Sequence, residues 1–183
     1  RNRPGGVAVF AVLGGPIARH RVGMIGGEMV SRVGVPLNAG SESPGPKYNA
    51  SGLAGVIEAA RVLSQYQFAG SIAFVGLSGE EQGLYGGAIL AEHAIAQGWD
   101  IQAVINNDMI GNITGVNGVT NNATARVFSE GTRYVETTEE ARLRRFQGGE
   151  VDSASRNIAR YVDLMADKSI RKHQLMSQYR FCP

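Results

Sequence analysis

Two adjacent carboxylates, Glu80 and Glu81, lie in the stretch Ile72–Gly87, which reads IAFVGLSGEEQGLYGG. Neighbouring acids in one turn can divide two tasks, one binding a cation while the other takes up and returns a proton. Taken alone, the pair reads equally well as a solvated charged turn. Other acids follow short apolar runs in the same way: Asp108 closes IQAVINND from Ile101, and Glu28 follows Arg21–Ile25 and the pair Gly26-Gly27. A carboxylate just after a buried strand lies at the carboxyl edge of an α/β sheet, where ligands bind. If the strands are parallel, Glu28, Glu80, Glu81 and Asp108 meet along one rim, and that convergence favours a site.

The elements needed to position these residues are legible as apolar patterns. Val7–Leu13 (VAVFAVL) reads as a buried strand ending at Gly14-Gly15-Pro16, Arg21–Ile25 as a shorter one ending in a glycine turn, and Ile72–Leu77 and Ile101–Ile105 as two more. Leu53, Val56, Ile57, Ala60 and Leu63 keep helical spacing after Asn49 and Ser51, either of which could cap the helix. Leu84, Ala88, Ala91 and Ile95 predict a second helix directly after the acidic pair. Residues 33–48 carry Gly34, Pro36, Gly40, Pro44, Gly45 and Pro46 without a period, which predicts an irregular loop of the kind often found at sites. Beyond a loop at Asn112–Thr124, the pattern gives a short strand at Arg126–Ser129 and a helix within Glu150–Ile170. That helix shows Val151, Ala154, Ile158, Val162 and Met165 on one face and Asp152 or Ser153 as cap, and a final strand follows at Gln174–Phe181. Buried strands alternating with helices predict an α/β fold with a mostly parallel sheet.

Composition narrows the functional classes. A chain of 183 residues suits a single domain. Its net charge of +2, from 18 basic and 16 acidic residues, leaves no excess to hold nucleic acid, and Glu139 and Glu140 offset the local cluster Arg142, Arg144, Arg145. Cys182 is the sole cysteine, which excludes an internal disulfide and a zinc site built from several cysteines. No apolar run approaches the roughly 18 residues of a membrane span, and no signal-peptide pattern is visible. A start at Arg1 is what a processed or excised segment would show. The 25 glycines, about twice the usual share, gather around apolar runs as tight turns require. A nucleotide-binding domain is disfavoured, because no Gly-x-Gly-x-x-Gly turn follows a strand and no phosphate-binding Gly-Lys-Ser/Thr loop exists.

Three stretches in order, PGPKYNASGLAGVIEAARVL (Pro44–Leu63), GEEQGLYGG (Gly79–Gly87) and AVINNDMIGN (Ala103–Asn112), resemble the co-catalytic zinc aminopeptidases. That family includes the bacterial leucyl aminopeptidases and has glutamate carboxypeptidase and glutaminyl cyclase as relatives. The similarity runs from about Arg21 to Arg180. It implies a three-layer α/β sandwich around a mostly parallel mixed sheet, incomplete here at its C-terminus. It also implies two zinc ions, hydrolysis at the N-terminus of a peptide or protein, and a secreted or periplasmic setting. Carried over residue by residue, it makes Glu80 the general base and Glu81 and Asp108 zinc ligands.

The remaining family positions are substituted. The family's Gly-Gly-His-x-Asp-Ser turn aligns with Gly26–Ser31, so Glu28 replaces a zinc-binding His and Val30 its supporting Asp. Its Pro-Gly-Ala-x-Asp-x-x-Ser-Gly turn aligns with Pro44–Gly52, which puts Tyr48 in place of the metal-bridging Asp. The last His ligand falls beyond Phe181, and His20, His93 and His173 match no ligand motif. A catalytic zinc site normally has three protein ligands, and a phenol of pKa about 10 is a poor substitute for a bridging carboxylate. Zinc is therefore expected to be weak or absent, and Glu28 with Asp108 would suit Ca²⁺ or Mg²⁺ better, though only weakly. Three readings follow: an exopeptidase using Glu80, a non-catalytic relative that binds peptides or a protein partner, and a truncated chain that self-associates through the exposed edge of its last strand.

Overall fold

The computed structural model describes residues 6–29, 49–115, 117–122, 124–129, 136–147, 153–169 and 174–177. The chain divides into two compact units, residues 1–115 and 116–183. In the first, β1 (Ala8–Leu13), β2 (Ala18–Glu28), β3 (Gly70–Leu77) and β4 (Asp100–Asn107) form one sheet in the order β1-β3-β2-β4. β2 runs parallel to both β3 and β4, and β1 is antiparallel to β3, so the sheet is mixed and mostly parallel, as the sequence predicts. Two helices, α1 (Ala50–Leu63) and α2 (Tyr85–Ala96), connect the parallel strands.

Alternation along the strands assigns each helix a face. Val22, Met24, Ala73 and Val75 pack with Leu90 of α2, and Phe10, Leu77 and Trp99 close around them. On the other face, Gly27 of β2 lies against Gly52 of α1, and Gly76 of β3 against Leu53. The result is three layers, helix, sheet and helix.

Five details in this unit differ from the sequence reading. Val7–Leu13 and Ile101–Ile105 read as buried strands, but β1 and β4 are the edges of the sheet and none of their residues is buried. Gly26 and Gly27 are not a turn: they extend β2 through Glu28, and a Cβ on Gly27 would come within 2.9 Å of the Gly52 carbonyl carbon. Glycine here serves close approach of strand and helix, a role that local pattern cannot separate from a turn. In α1, Val56 is buried but Ile57 is 63 % exposed. In α2 the buried residues are Gly86, Leu90 and Ala94, while Leu84, Ala91 and Ile95 face outward. That helix has small or apolar residues on most sides, so periodicity alone does not orient it. Its rotation is fixed at Gly86, where a Cβ would stand 2.6 Å from the Ser78 carbonyl oxygen. Finally, neither Asn49 nor Ser51 caps α1: Asn49 turns elsewhere, and the Ser51 hydroxyl accepts a bond from the Gly111 N–H at 3.0 Å.

In the second unit, β5 (Thr124–Val127) and β6 (Gln174–Ser177) pair in parallel, with α3 (Thr138–Gln147) and α4 (Ala154–Ser169) between them in sequence. Ser153 caps α4 by accepting the Arg156 N–H at 3.1 Å. Among the described side chains of α4, Arg156, Ala159 and Ala166 are buried, while Ala154 and Met165 are exposed, so its face is rotated from the predicted one. The buried Arg156 guanidinium donates to the Ser129 hydroxyl at 3.0 Å, a link no apolar period reveals. Arg142 is exposed and paired with Glu139 at 2.7 Å, as a solvated face would be. No helix among the described residues is long and apolar enough to cross a membrane.

Candidate active site

Strand register sets the rim. Glu28 stands beside Leu77, and Gly27 beside Asn107, so β2, β3 and β4 end at one level. Each chain then turns out of the sheet carrying an acid: Glu28 at the end of β2, Glu80 three residues after β3, and Asp108 one after β4. These three acids line a single cleft of about 430 Å³. The rest of its lining is mostly apolar, with Met24, Val75, Leu77, Leu84, Leu90 and Val104 beside Asn106.

The turn that carries Glu80 is held by backbone bonds from both sides. The Glu80 carbonyl accepts from Gly83 N–H at 3.0 Å and Leu84 N–H at 2.8 Å, while Tyr85 and Gly86 donate back to Gly79 and Ser78. Ser78 is clipped to the start of β1, its hydroxyl receiving the Val7 N–H at 2.7 Å. Leu84 (φ 58°) and Met109 (φ 51°) are the non-glycine residues with positive φ among those described, and each follows one of the acidic turns. Left-handed backbone at a non-glycine costs roughly 1–2 kcal/mol, and such residues gather at sites.

Glu28 is only 9 % exposed. Burial, then the charges of Asp108 and Glu80, push its carboxyl above the ordinary value of 4.5, partly offset by hydrogen bonds from Asn49 and Asn106. Folding therefore tightens the proton on Glu28, and its contribution to stability is full below about 4.5 and is lost as pH rises through the higher folded value. Glu28→Gln is accordingly expected to melt higher than the parent at pH 7, with the gap closing as both are acidified toward pH 4.5. Paired melting curves across that range measure it.

Sequence reasoning missed Asn49. This residue is fully buried, and its side chain reaches Glu28 at 3.4 Å and accepts the Met109 N–H at 3.0 Å. The only signal was its type and place before a helix, which points to a cap. Glu81 sits partly buried in the same turn as Glu80 but does not line the cleft. Val30 and Tyr48 lie outside the described residues, as does His173. His20 is exposed on β2, and His93 packs between Phe10 and Trp99 with ring centroids 5.0 and 5.6 Å away. No imidazole reaches the cleft among the described residues.

Among the described residues, no three His, Cys, Asp or Glu side chains are placed to hold one metal ion. The acids share a cleft without converging on a point, and their donors are oxygen alone. Zinc takes Cys sulfur, His nitrogen or Asp/Glu oxygen, with three protein ligands at catalytic sites and four at structural ones. The described acids by themselves do not complete a zinc set, and the positions of Val30 and Tyr48 lie outside the described residues.

Residues 33–156, two thirds of the chain, match Peptidase family M28. A probable zinc metalloprotease of Pyricularia oryzae is 35 % identical over 173 residues, covering 94 % of this chain and 34 % of the relative. Another, from Pyrenophora teres f. teres, is 38 % identical over 144 residues, covering 78 % and 30 %. The chain thus spans about a third of the length of these relatives. The crystal structure of LapA from Legionella superposes with a TM-score of 0.58 at 22 % identity, covering 96 % of this chain and 39 % of that one, which establishes a shared fold. The match over most of the chain and the acids at the ends of three parallel strands agree, and the chain belongs to peptidase family M28, a family of zinc metallopeptidases.

Proposed function

We propose that the cleft is the peptide site of an aminopeptidase-type exopeptidase, and that in this chain hydrolysis is reduced or lost while recognition of a peptide N-terminus is kept. The observation that carries this reading is Glu28, a carboxylate within one cleft with Glu80 and Asp108 at the position where the family resemblance calls for a histidine. In this reading Glu80 is the base that takes a proton from water and returns it to the leaving amine, supported by its place in the cleft lining. Zinc, where bound, lowers the pKa of that water from about 15.7 to about 7. Without such help a carboxylate is a weak activator of water, and turnover is slow. Glu28 and Asp108, at the ends of β2 and β4, attract the α-ammonium of a peptide, and the apolar lining suits an apolar first side chain.

Three measurements test this. Protein purified without chelator is expected to hold no zinc tighter than micromolar, and an aminoacyl chromogenic substrate is expected to show no chelator-sensitive turnover. A short peptide with a free apolar N-terminal residue is expected to bind in chelator, to bind Glu80→Gln as well, and to lose at least tenfold in affinity when its amine is acetylated. Stoichiometric zinc together with chelator-sensitive turnover would overturn the reading in favour of an active zinc exopeptidase.

A further inference from the structure

We infer that a hydrogen-bonded bridge centred on Asn49 takes over the cross-linking of the cleft rim, so that an amide ties together the segments a metal pair would otherwise join. The inference rests on the proposed reading that zinc is not held here. Asn49 occupies the position before α1, where a side chain would normally cap the helix, yet it makes no cap bond. Its Nδ2 donates to Glu28 Oε2 at the end of β2, at 3.4 Å, and its Oδ1 accepts from Met109 N in the turn after β4, at 3.0 Å. One fully buried side chain thereby joins β2, α1 and β4 at the level of the acids.

The chemistry explains why an amide is the residue type required. A buried carboxylate near two further acids needs either a cation or N–H donors. Asn49 and Asn106 supply donors to Glu28. The backbone N–H of Met109, fixed by a left-handed residue, needs an acceptor. Only a side chain with a donor and an acceptor side by side meets both demands. Asn49 is thus a positioning residue, acting through Glu28 and the Asp108–Met109 turn.

Asn49→Asp isolates the donor. It keeps shape and the acceptor for Met109 but replaces the N–H facing Glu28 by a second carboxylate. Melting curves of parent and variant are compared in EDTA, in zinc chloride and in calcium chloride. The parent is expected to melt within about 1 °C in all three. The variant should lose about 5 °C or more in EDTA and recover at least half of it in one of the two cations, because a divalent ion relieves the repulsion. A variant that is destabilised but insensitive to both cations overturns the bridge while leaving the proposed function standing. A parent whose melting rises with zinc overturns both. Should the variant fail to fold under every condition, hydrogen exchange of the parent's Met109 amide decides: slow exchange unchanged by EDTA or zinc supports the bridge, and fast exchange overturns it.

Discussion

Glu28→His combined with Tyr48→Asp is expected to tighten zinc binding about 100-fold over the parent, with either change alone giving under tenfold. By family resemblance these two positions and Asp108 together make up one complete three-ligand set, the number a catalytic zinc site normally requires. Asp108 already lines the cleft with Glu28. Each single variant supplies at most two good ligands, and two leave most of the ion's hydration in place, so the gain should be strongly non-additive. Competition with a chromophoric chelator reads the affinity directly. A double variant no tighter than the parent would mean that the ends of β2 and β4 do not present the ligands at zinc-bonding distances near 2.0–2.2 Å.

How much of this could be read from residues alone depends on what kind of force set each feature. Strands β1, β3 and β4 and helix α1 were legible to within a few residues because apolar runs such as VAVFAVL and IAFVGL favour strands, although burial accounts only for β3, β1 and β4 being exposed edges. The meeting of Glu28, Glu80 and Asp108 followed from one topological rule, that acids after parallel strands share an edge. Features set by close approach or buried polar bonding were not legible. Gly26-Gly27 read as a turn because a glycine needed under a helix and one needed for a bend look the same in sequence. The face of α2 was misassigned because Gly86 against Ser78, and not a hydrophobic stripe, fixes its rotation. Asn49 read as a cap because its partners, Glu28 and Met109, lie 21 and 60 residues away.

Gly52→Ala should be among the most damaging single substitutions in the first unit. The added Cβ would stand 2.3 Å from both the Asn107 carbonyl oxygen and Asn49 Oδ1. Neither can retreat cheaply, since one is strand backbone at the rim and the other is the acceptor for Met109 N–H. Helix propensity works the other way, because alanine is favoured over glycine by about 1 kcal/mol within a helix. Overpacking a rigid contact costs about 1–3 kcal/mol and sometimes more, so steric loss wins, and a net destabilisation of about 2 kcal/mol, or roughly 8–10 °C in melting temperature, is expected. Gly87→Ala supplies the contrast. It too lies in the first turn of a helix, but a Cβ there meets nothing within 4 Å, so propensity acts alone and the protein should gain about 0.5–1 kcal/mol. Opposite signs at the two glycines, read by denaturant unfolding, would show that α1 is seated on β4 through an atom-to-atom contact. Equal signs would show that α1 can lift from the sheet, and the acids of the rim would then lack the fixed spacing argued for them.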